Sequence, residues 1–408
     1  MEKIQLGVIF GSRTCEHEVS IISALQLMRA ANRKTYDVIP IYISKTGEWF
    51  TGDPLLEMTA YSPFEESCKG IVRIALDITS GSGALTAVEL GKSLFAKDHL
   101  RIVARLDCVI PVMHGMHGED GTLQGLLEMC NIPYASSGVG ASALGMDKVF
   151  MKQFFYGNGF PVLPGCWFLR KAWEAEQEKV IREIEQKLTY PVFVKPASLG
   201  SSIGVGRAGD RKELKVALDV AFEFDRKVLV EKGIENPLEL NCSVLGYNGE
   251  ARASEIEMPI TRGDLLSFFD KYGANAAKGM ASLKRILPAP IEPALREEIQ
   301  ALSVKIFNSM DCKGVVRIDY MFSPEENALY ITEINTIPGS MAFYLWTPCG
   351  MTYSELIDQM VQYAMQAQDD KDNCNYAYTS DILRSTALGG KAGAKINLKN
   401  DWPCTKEQ

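Results

Sequence analysis

Residues Gly314 to Gly339, GVVRIDYMFSPEENALYITEINTIPG, decide how the rest of the chain is read. Two β-prone runs flank Ser323-Pro324-Glu325-Glu326-Asn327, which is turn chemistry, so the stretch predicts a hairpin. Strand side chains alternate between faces with a period of two. Arg317 and Asp319 therefore share a face of the first strand, and Glu333 and Asn335 share a face of the second. Val316, Ile318, Tyr320 and Phe322 point the other way, as do Tyr330, Thr332 and Ile334, which makes that the core side. The hairpin then gathers two carboxylates, an amide and a guanidinium over one patch. Hard oxygen ligands at that density suit Mg2+, which takes a few carboxylates together with substrate phosphates. A solvated strand face carries the same pattern. From this stretch alone the two readings stand level, and the rest of the chain has to separate them.

With 408 residues the chain is long enough for two or three domains. Apolar residues at 46% and charged residues at 23% are ordinary for a soluble globular protein. A net charge of -8 argues against general binding to nucleic acid or anionic membranes, while leaving room for a local basic pocket. No apolar run reaches membrane-spanning length, and MEKIQLGVIFG turns polar too soon for a signal peptide; it reads as a first buried strand. Ten cysteines form no CxxC pair and no zinc spacing, which fits incidental thiols in a reducing cytoplasm.

Working outward from the hairpin, other stretches supply what a metal site would serve. Leu6 to Phe10, a glycine turn and EHEVSIISALQLMRAA read as strand, turn and helix, the opening of an α/β unit, with Glu16 where turn becomes helix. There Glu16 either complements the helix dipole or grips an amine at the carboxyl edge of the sheet. Tyr36 to Ile43 is the next strand, residues 51–105 read as an insertion with short strands, and Asp107 to Met113 is another buried strand. That last strand runs into HGMHGEDGTLQGLLEMC, a glycine-rich loop opening a helix at Thr122, where backbone N–H groups can face a ligand. Ala141 to Phe155 reads as one helix carrying Lys148, and Ala172 to Leu188 as a charged amphipathic surface helix. YPVFVKPASLGSSIGVGRA delivers Lys195 into a small-residue loop that can fold over phosphates, although it is not a Walker A loop. FFDKYGANAAKGMASLKRI has the composition of a lid, Ile291 to Ser309 is an amphipathic helix, a helix runs to about Gln366, and the chain after 369 reads as a polar tail.

Six motifs in this order, EHEVS, HGMHGEDGTLQG, YPVFVKPASLGSSIGV, LVEK, GVVRIDY and EINTIPG, make the chain resemble the D-alanine-D-alanine ligases of the ATP-grasp superfamily from Leu6 to about Gln366. The resemblance implies an α/β, ATP-grasp fold with an N-terminal open α/β domain, three domains around a central cleft. Their spans would be 1–145 with the insertion, 146–230 and 231–368, with 369–408 as an extension. It implies ATP-dependent ligation of two D-alanines through an acyl phosphate, for peptidoglycan precursor synthesis. Lys148 and Lys195 would hold the α and β phosphates, with Ser202 on the phosphate loop. Glu231, Lys232 and Ile234 would border adenine, Glu239 would take the ribose hydroxyls, and Lys271 would reach the γ-phosphate. Asp319, Glu333 and Asn335 would bind two Mg2+ ions, for which Mn2+ can substitute. Glu16 would take the ammonium of the first D-alanine, linked to Ser201 and Tyr272, and His114 would lie near its carboxylate. Arg317 and the Gly339 N–H would stabilise the tetrahedral oxyanion. A cytoplasmic homodimer without nucleic-acid or membrane partners is the family expectation.

The chain departs from the family pattern at three places. The lid is shortened around DKYGANAAKG, at Lys271 and Tyr272. SMAFYLW replaces the usual threonine/serine-rich segment, so the acceptor pocket falls on Ser340, Tyr344 and Leu345, with Tyr344 at a family serine. The simplest members lack the 51–105 insertion and the tail. The Lys271-Tyr272 pair favours D-alanine as acceptor over D-serine or D-lactate, the substrates of the sister ligases. A non-catalytic relative would not need the intact set Lys148, Lys195, Arg317, Asp319, Glu333 and Asn335.

Overall fold

The computed structural model describes residues 2–89, 99–260 and 284–375. It opens with β1 (Ile4–Gly11), α1 (His17–Ala30) and β2 (Tyr36–Ile43), with β2 parallel to β1. Both faces of β1 are covered: Leu6, Val8 and Phe10 enter one core and Ile9 another, which is why the strand is apolar at consecutive positions. The segment predicted as an insertion extends the same sheet. β3 (Trp49–Thr51), β4 (Val72–Leu76), β5 (Ala84–Glu89) and β6 (His99–Arg105) are antiparallel neighbours, and β7 (Cys108–Val112) is parallel to β1 on its other side. The strand order is β6-β5-β4-β3-β2-β1-β7. The carboxyl ends of β1 and β7, where ligands of open α/β sheets bind, deliver Glu16 and the loop before α2 (Thr122–Cys130).

The helix read as one element over 141–155 is two, α3 (Val139–Met146) and α4 (Lys148–Gly157). Asp147 interrupts it because its carboxylate accepts from the N–H groups of Val149 and Phe150, an N-cap that makes Lys148 the first residue of α4. A four-stranded antiparallel sheet follows, in the order β10-β9-β11-β8. Its strands are β8 (Gly165–Leu169), β9 (Val192–Pro196), β10 (Gly206–Ala208) and β11 (Lys227–Lys232). One face packs on α6 (Gln177–Lys187) and α7 (Arg211–Phe224) through Phe168, Val194, Ile181 and Leu218. A break at Glu176 separates α6 from α5 (Arg170–Ala175), where one helix was predicted. The small-residue loop is the tip of the β9–β10 hairpin.

The third sheet, in the order β14-β13-β12-β15-β16, holds the hairpin. Its strands are β12 (Leu238–Tyr247), β13 (Glu250–Pro259), β14 (Arg285–Ile286), β15 (Gly314–Ser323) and β16 (Ala328–Asn335), and α8 (Pro293–Ser309) packs on its apolar face. Arg317 stands opposite Asn335 and Asp319 opposite Glu333, as the alternation requires. The core side differs from the prediction on β16. Leu329, Ile331 and Ile334 are buried, while Tyr330 and Thr332 are only half-buried. The register shifts between Asp319 and Tyr320, whose partner is Ile331, so Thr332 is the extra residue of a β-bulge. Its hydroxyl donates to the Asp319 carbonyl at 2.8 Å, and the bulge lets Thr332 and Glu333, adjacent in sequence, both line the cleft. Residues 1–368 form one compact unit; in the second, from Asp369, the described residues finish α9 (Tyr353–Asp372) and a turn.

Candidate active site

The polar face of the hairpin is one wall of a cleft lined by Lys148, Lys195, Glu239, Arg317, Asp319 and Glu333, among others. Arg317 grips Asp319 with both arms, Nε to Oδ1 and Nη2 to Oδ2 at 2.6 Å each, and Asn335 Nδ2 donates to Oδ2 at 3.1 Å. Burial lifts the Asp319 carboxyl above the usual range against the pull of Arg317, and the like charge of Glu333 adds to the lift. Two carboxylates and an amide oxygen in a buried, mutually repelling cluster are a donor set that suits a hard dication. Among the described residues no group of three or more His, Cys, Asp or Glu could hold a metal.

Across from the hairpin, Lys148 Nζ donates to the Leu199 carbonyl at 2.6 Å and lies 3.6 Å from Glu333. Lys195 donates to Glu231, whose second oxygen is 2.5 Å from Lys152 Nζ. Burial alone would push the Glu231 carboxyl up; the two ammonium groups outweigh it and hold it down at about 2. The Glu231 side chain is 1% exposed and fixes the ammonium groups of Lys195 and Lys152. Ser202 and Glu239 line the cleft. Lys232 instead turns to Glu326 at 2.5 Å, and Ile234 is half-buried in the turn beyond β11.

At the first sheet's end, Ser201 donates to Glu16 across 185 residues of sequence. Gly115 and Gly200 enclose that carboxylate: a Cβ on either would come within 2.6 Å and 2.9 Å of Glu16 Oε2, and Gly115 has φ +72. Tyr272 and Lys271 lie outside the described residues. His114 is buried, its Nδ1 2.9 Å from the Ile337 carbonyl and its Nε2 3.0 Å from Ser23 Oγ. Facing a carbonyl, Nδ1 must carry the proton, so Nε2 accepts from Ser23, which in turn accepts from the Ser340 N–H at 3.1 Å. Burial pushes the imidazole down to about 4, so it is neutral at pH 7. Glu119 accepts from the N–H groups of Gly115 (2.8 Å) and Ile337 (3.0 Å) and is pushed up to about 8 by burial and by Glu16. It clamps the glycine-rich loop to the end of the hairpin.

The SMAFYLW segment follows Gly339 as a 3-10 turn, Gly339–Leu345, with Ser340, Met341 and Ala342 in the left-handed region at φ 52, 53 and 49. The side chains of Ser340 and Leu345 are fully buried. Ser340 Oγ donates to Gln26 at 2.7 Å, so its role is to dock the segment on α1. Tyr344 directs its hydroxyl to Glu257, a residue of the cleft wall, at 3.1 Å. Glu257 also accepts from Asn241 Nδ2 at 3.0 Å and from Arg285 Nη1 at 2.9 Å, and the Arg285 guanidinium lies 3.7 Å from the Tyr344 ring centroid.

The family model described as D-ala D-ala ligase N-terminus matches residues 5–137, and the one described as D-ala D-ala ligase C-terminus matches residues 154–362. The chain belongs to the D-alanine-D-alanine ligase family. It is 37% identical over 376 residues to the D-alanine–D-alanine ligase of Natranaerobius thermophilus, covering 91% of this chain and 98% of that relative. It is 38% identical to the ligase of Acetivibrio thermocellus, covering 90% and 98%. Among solved structures it is similar to the VanG D-Ala:D-Ser ligase from Enterococcus faecalis, with a TM-score of 0.75 at 30% identity over 89% of this chain and all of that one. The D-alanine-D-alanine ligase of Coxiella burnetii matches with a TM-score of 0.74 at 25% identity over 95% and 99%. The fold is therefore ATP-grasp, and ATP use comes with the family. No helix among the described residues is long and apolar enough to cross a membrane.

Within this ligase family frame, the reading from sequence assigned no role to Glu119, Lys152, Asn241, Glu257 or Arg285. Glu119 had a signal, an acid in a glycine-rich loop that itself looked functional. Glu257 and Arg285 had none, because only cross-strand register brings ASEIEMP beside Asn241 and sets Arg285 against Pro259.

Proposed function

We propose that this chain joins two D-alanines into D-alanyl-D-alanine with ATP as co-substrate, supplying a peptidoglycan precursor in the cytoplasm. The observation that carries the reading is the convergence of two pairs, Lys148 with Glu333 and Arg317 with Asp319, on one cleft beside the Glu16–Ser201 link. The carboxylate of the first D-alanine attacks the γ-phosphorus of ATP; an acyl C–O–P bond forms and ADP leaves. The amine of the second attacks the acyl carbon and gives up a proton. A C–N bond forms as the C–O bond to phosphate breaks, and inorganic phosphate departs with the electron pair.

Each group has a task set by its surroundings. Glu16, oriented by Ser201 and enclosed by Gly115 and Gly200, takes the ammonium of the first substrate. Lys148 and Lys195 neutralise phosphate oxygens. Arg317, held rigid by Asp319, faces the charge that develops on the acyl oxygen, with the Gly339 N–H as second donor. Asp319, Glu333 and Asn335 would hold Mg2+, two ions by the family pattern with Mn2+ able to substitute, which supplies charge neutralisation for phosphoryl transfer. We read the domain boundaries as falling near residues 145 and 230 and the assembly as a homodimer, checked by light scattering.

The experiment is competition between equal D-alanine, D-serine and D-lactate in the presence of ATP and Mg2+, with phosphate release followed and products resolved by mass. D-Alanyl-D-alanine should dominate at pH 7, with D-serine a minor acceptor and D-lactate poor. A predominance of depsipeptide, or no phosphate release with any of the three, refutes the reading.

A further inference from the structure

We propose that Glu119 is a positioning residue of the ligation, holding the turn that encloses Glu16 in register with the backbone around Gly339 at the end of the metal hairpin. The inference rests on the ligase reading above. Both oxygens of the Glu119 carboxylate are given to backbone, one on each side of the site. Oε2 accepts from the Gly115 N–H at 2.8 Å, and the Glu119 N–H donates to the Gly115 carbonyl at 2.9 Å, so one residue holds both polar groups of Gly115. Gly115 in turn lies against the carboxylate of Glu16, leaving no room for a Cβ. Oε1 accepts from the Ile337 N–H at 3.0 Å, 218 residues away in sequence.

Ile337 is held a second time. Its carbonyl accepts from His114 Nδ1 at 2.9 Å, so the one loop takes both polar backbone groups of this buried residue. Three residues on, the Ser340 N–H donates to Ser23 Oγ at 3.1 Å, and Ser23 donates to His114 Nε2 at 3.0 Å. The chain is therefore pinned before and after Gly339, whose N–H is the second oxyanion donor in the ligase reading. The loop that pins it is itself fixed. Thr14 Oγ1 donates to the His114 carbonyl at 3.1 Å and accepts from the Glu16 N–H at 3.3 Å. A Cβ on Gly118 would lie 2.2 Å from the Met113 carbonyl, so the loop folds tightly back on the strand that delivers it. Glu119 joins the two sides through a single side chain. Its partners among the described residues are N–H groups and no cation, and Glu16 and Glu333 both oppose its charge. Like charges gathered this way work against the fold, which fits a carboxylate kept for the site. Donors to an oxyanion have to be placed to within a fraction of an ångström, so a tie that sets backbone on both sides of the reacting atoms bears on rate.

Two substitutions test the tie. Glu119→Gln keeps the shape and one acceptor but turns an amide N–H toward one of the two backbone donors. Glu119→Asp keeps the charge and shortens the reach by one methylene. Initial rates are measured with D-alanine, ATP and Mg2+. Binding is measured for ADP and for a phosphinate analogue of the dipeptide, whose tetrahedral, anionic centre stands where the acyl carbon reacts. In Glu119→Gln kcat should fall about 10–100-fold while the KM for ATP stays within about threefold, because the lost alignment matters in the transition state. The phosphinate should bind more weakly by about the factor lost in kcat/KM, and ADP within about threefold of wild type, since only the tetrahedral centre uses the aligned donors. Glu119→Asp should move both quantities in the same direction. A residue that serves the fold alone would weaken ADP and the phosphinate together. Phosphinate affinity within about threefold of wild type in Glu119→Gln, or ADP and phosphinate weakened in step, overturns the assignment of Glu119 alone. Loss of the fold in both variants overturns it too, because the tie is then structural. No D-alanine-dependent phosphate release by the wild type overturns the ligase reading and this inference with it.

Discussion

Replacing Asp147 should show how a residue outside the cleft sets the phosphate end of the site. Asp147 does two things at once. Its Oδ1 accepts from the N–H groups of Val149 (3.0 Å) and Phe150 (3.1 Å), and its Oδ2 pairs with Lys227 Nζ. The Lys227 side chain is 7% exposed and its Nζ lies 4.0 Å from the Phe150 ring centroid, so little water can take over from the carboxylate. Loss of an N-cap costs about 1 kcal/mol, and breaking a buried pair from one side costs about 3 kcal/mol. Asp147→Ala should therefore lose about 4 kcal/mol of unfolding free energy in urea at pH 7. Asp147→Asn keeps a good cap and should lose about 3 kcal/mol, the pair alone. Asp147→Ala with Lys227→Met removes both charges and should return to within about 1 kcal/mol of wild type, leaving only the cap missing. Because Lys148 is the first residue of the helix that Asp147 caps, the KM for ATP should rise in Asp147→Ala by more than its effect on the KM for D-alanine. An Asp147→Ala variant within about 1 kcal/mol of wild type, or a double variant as unstable as the single one, refutes this coupling of cap and ion pair.

Glu333→Gln, which changes charge and not shape, should cut turnover more than about tenfold, or 1.4 kcal/mol in barrier, with an unchanged melting temperature; a rate above a tenth of wild type counts against the metal assignment. Gly115→Ala should raise the KM for the first substrate and lower stability by about 1–2 kcal/mol, because φ is +72 and the new Cβ meets Glu16 Oε2 at 2.6 Å; wild-type stability and KM together would contradict the close approach. His114 is held by burial at about 4 in the fold against 6.5 for the free side chain, so the unfolded chain binds its proton first. That contribution is complete above pH 6.5 and is lost as pH falls toward 4, by about 3 kcal/mol in all. His114→Gln should therefore flatten the fall in stability between pH 6.5 and 4, and an equally steep fall in the variant, measured by denaturation at a series of pH values, would show that another group is responsible.

Much of the site could be read from residue order because its elements are short and local. Arg317 and Asp319, or Glu333 and Asn335, are two residues apart on a strand, and strand geometry alone puts each pair on one face. Strand, glycine turn and helix at Leu6 to Ala30 follow from apolar runs and the turn between them. The break at Asp147 was not legible, because apolar spacing continues across it from Ala141 to Phe155. The bulge at Thr332 was not legible either. Alternation assumes one residue opposite one, and only pairing with β15 reveals two opposite one.

What the sequence by itself determined is the chemistry available: the ligase motifs, the carboxylates and amide of the hairpin, the lysines of the phosphate end and the odd SMAFYLW segment. Only the tertiary structure decided where those groups act. Glu231 lies in a strand, and two lysines from elsewhere in the chain pair with it. Ser340 is bonded to Gln26, 314 residues away. Tyr344 reaches Glu257 and stacks with Arg285 because β13 and β14 come to the same wall. The reason is physical: backbone propensity and periodicity act over a few residues, whereas the partner of a buried polar group is whatever the packed chain brings within about 3 Å.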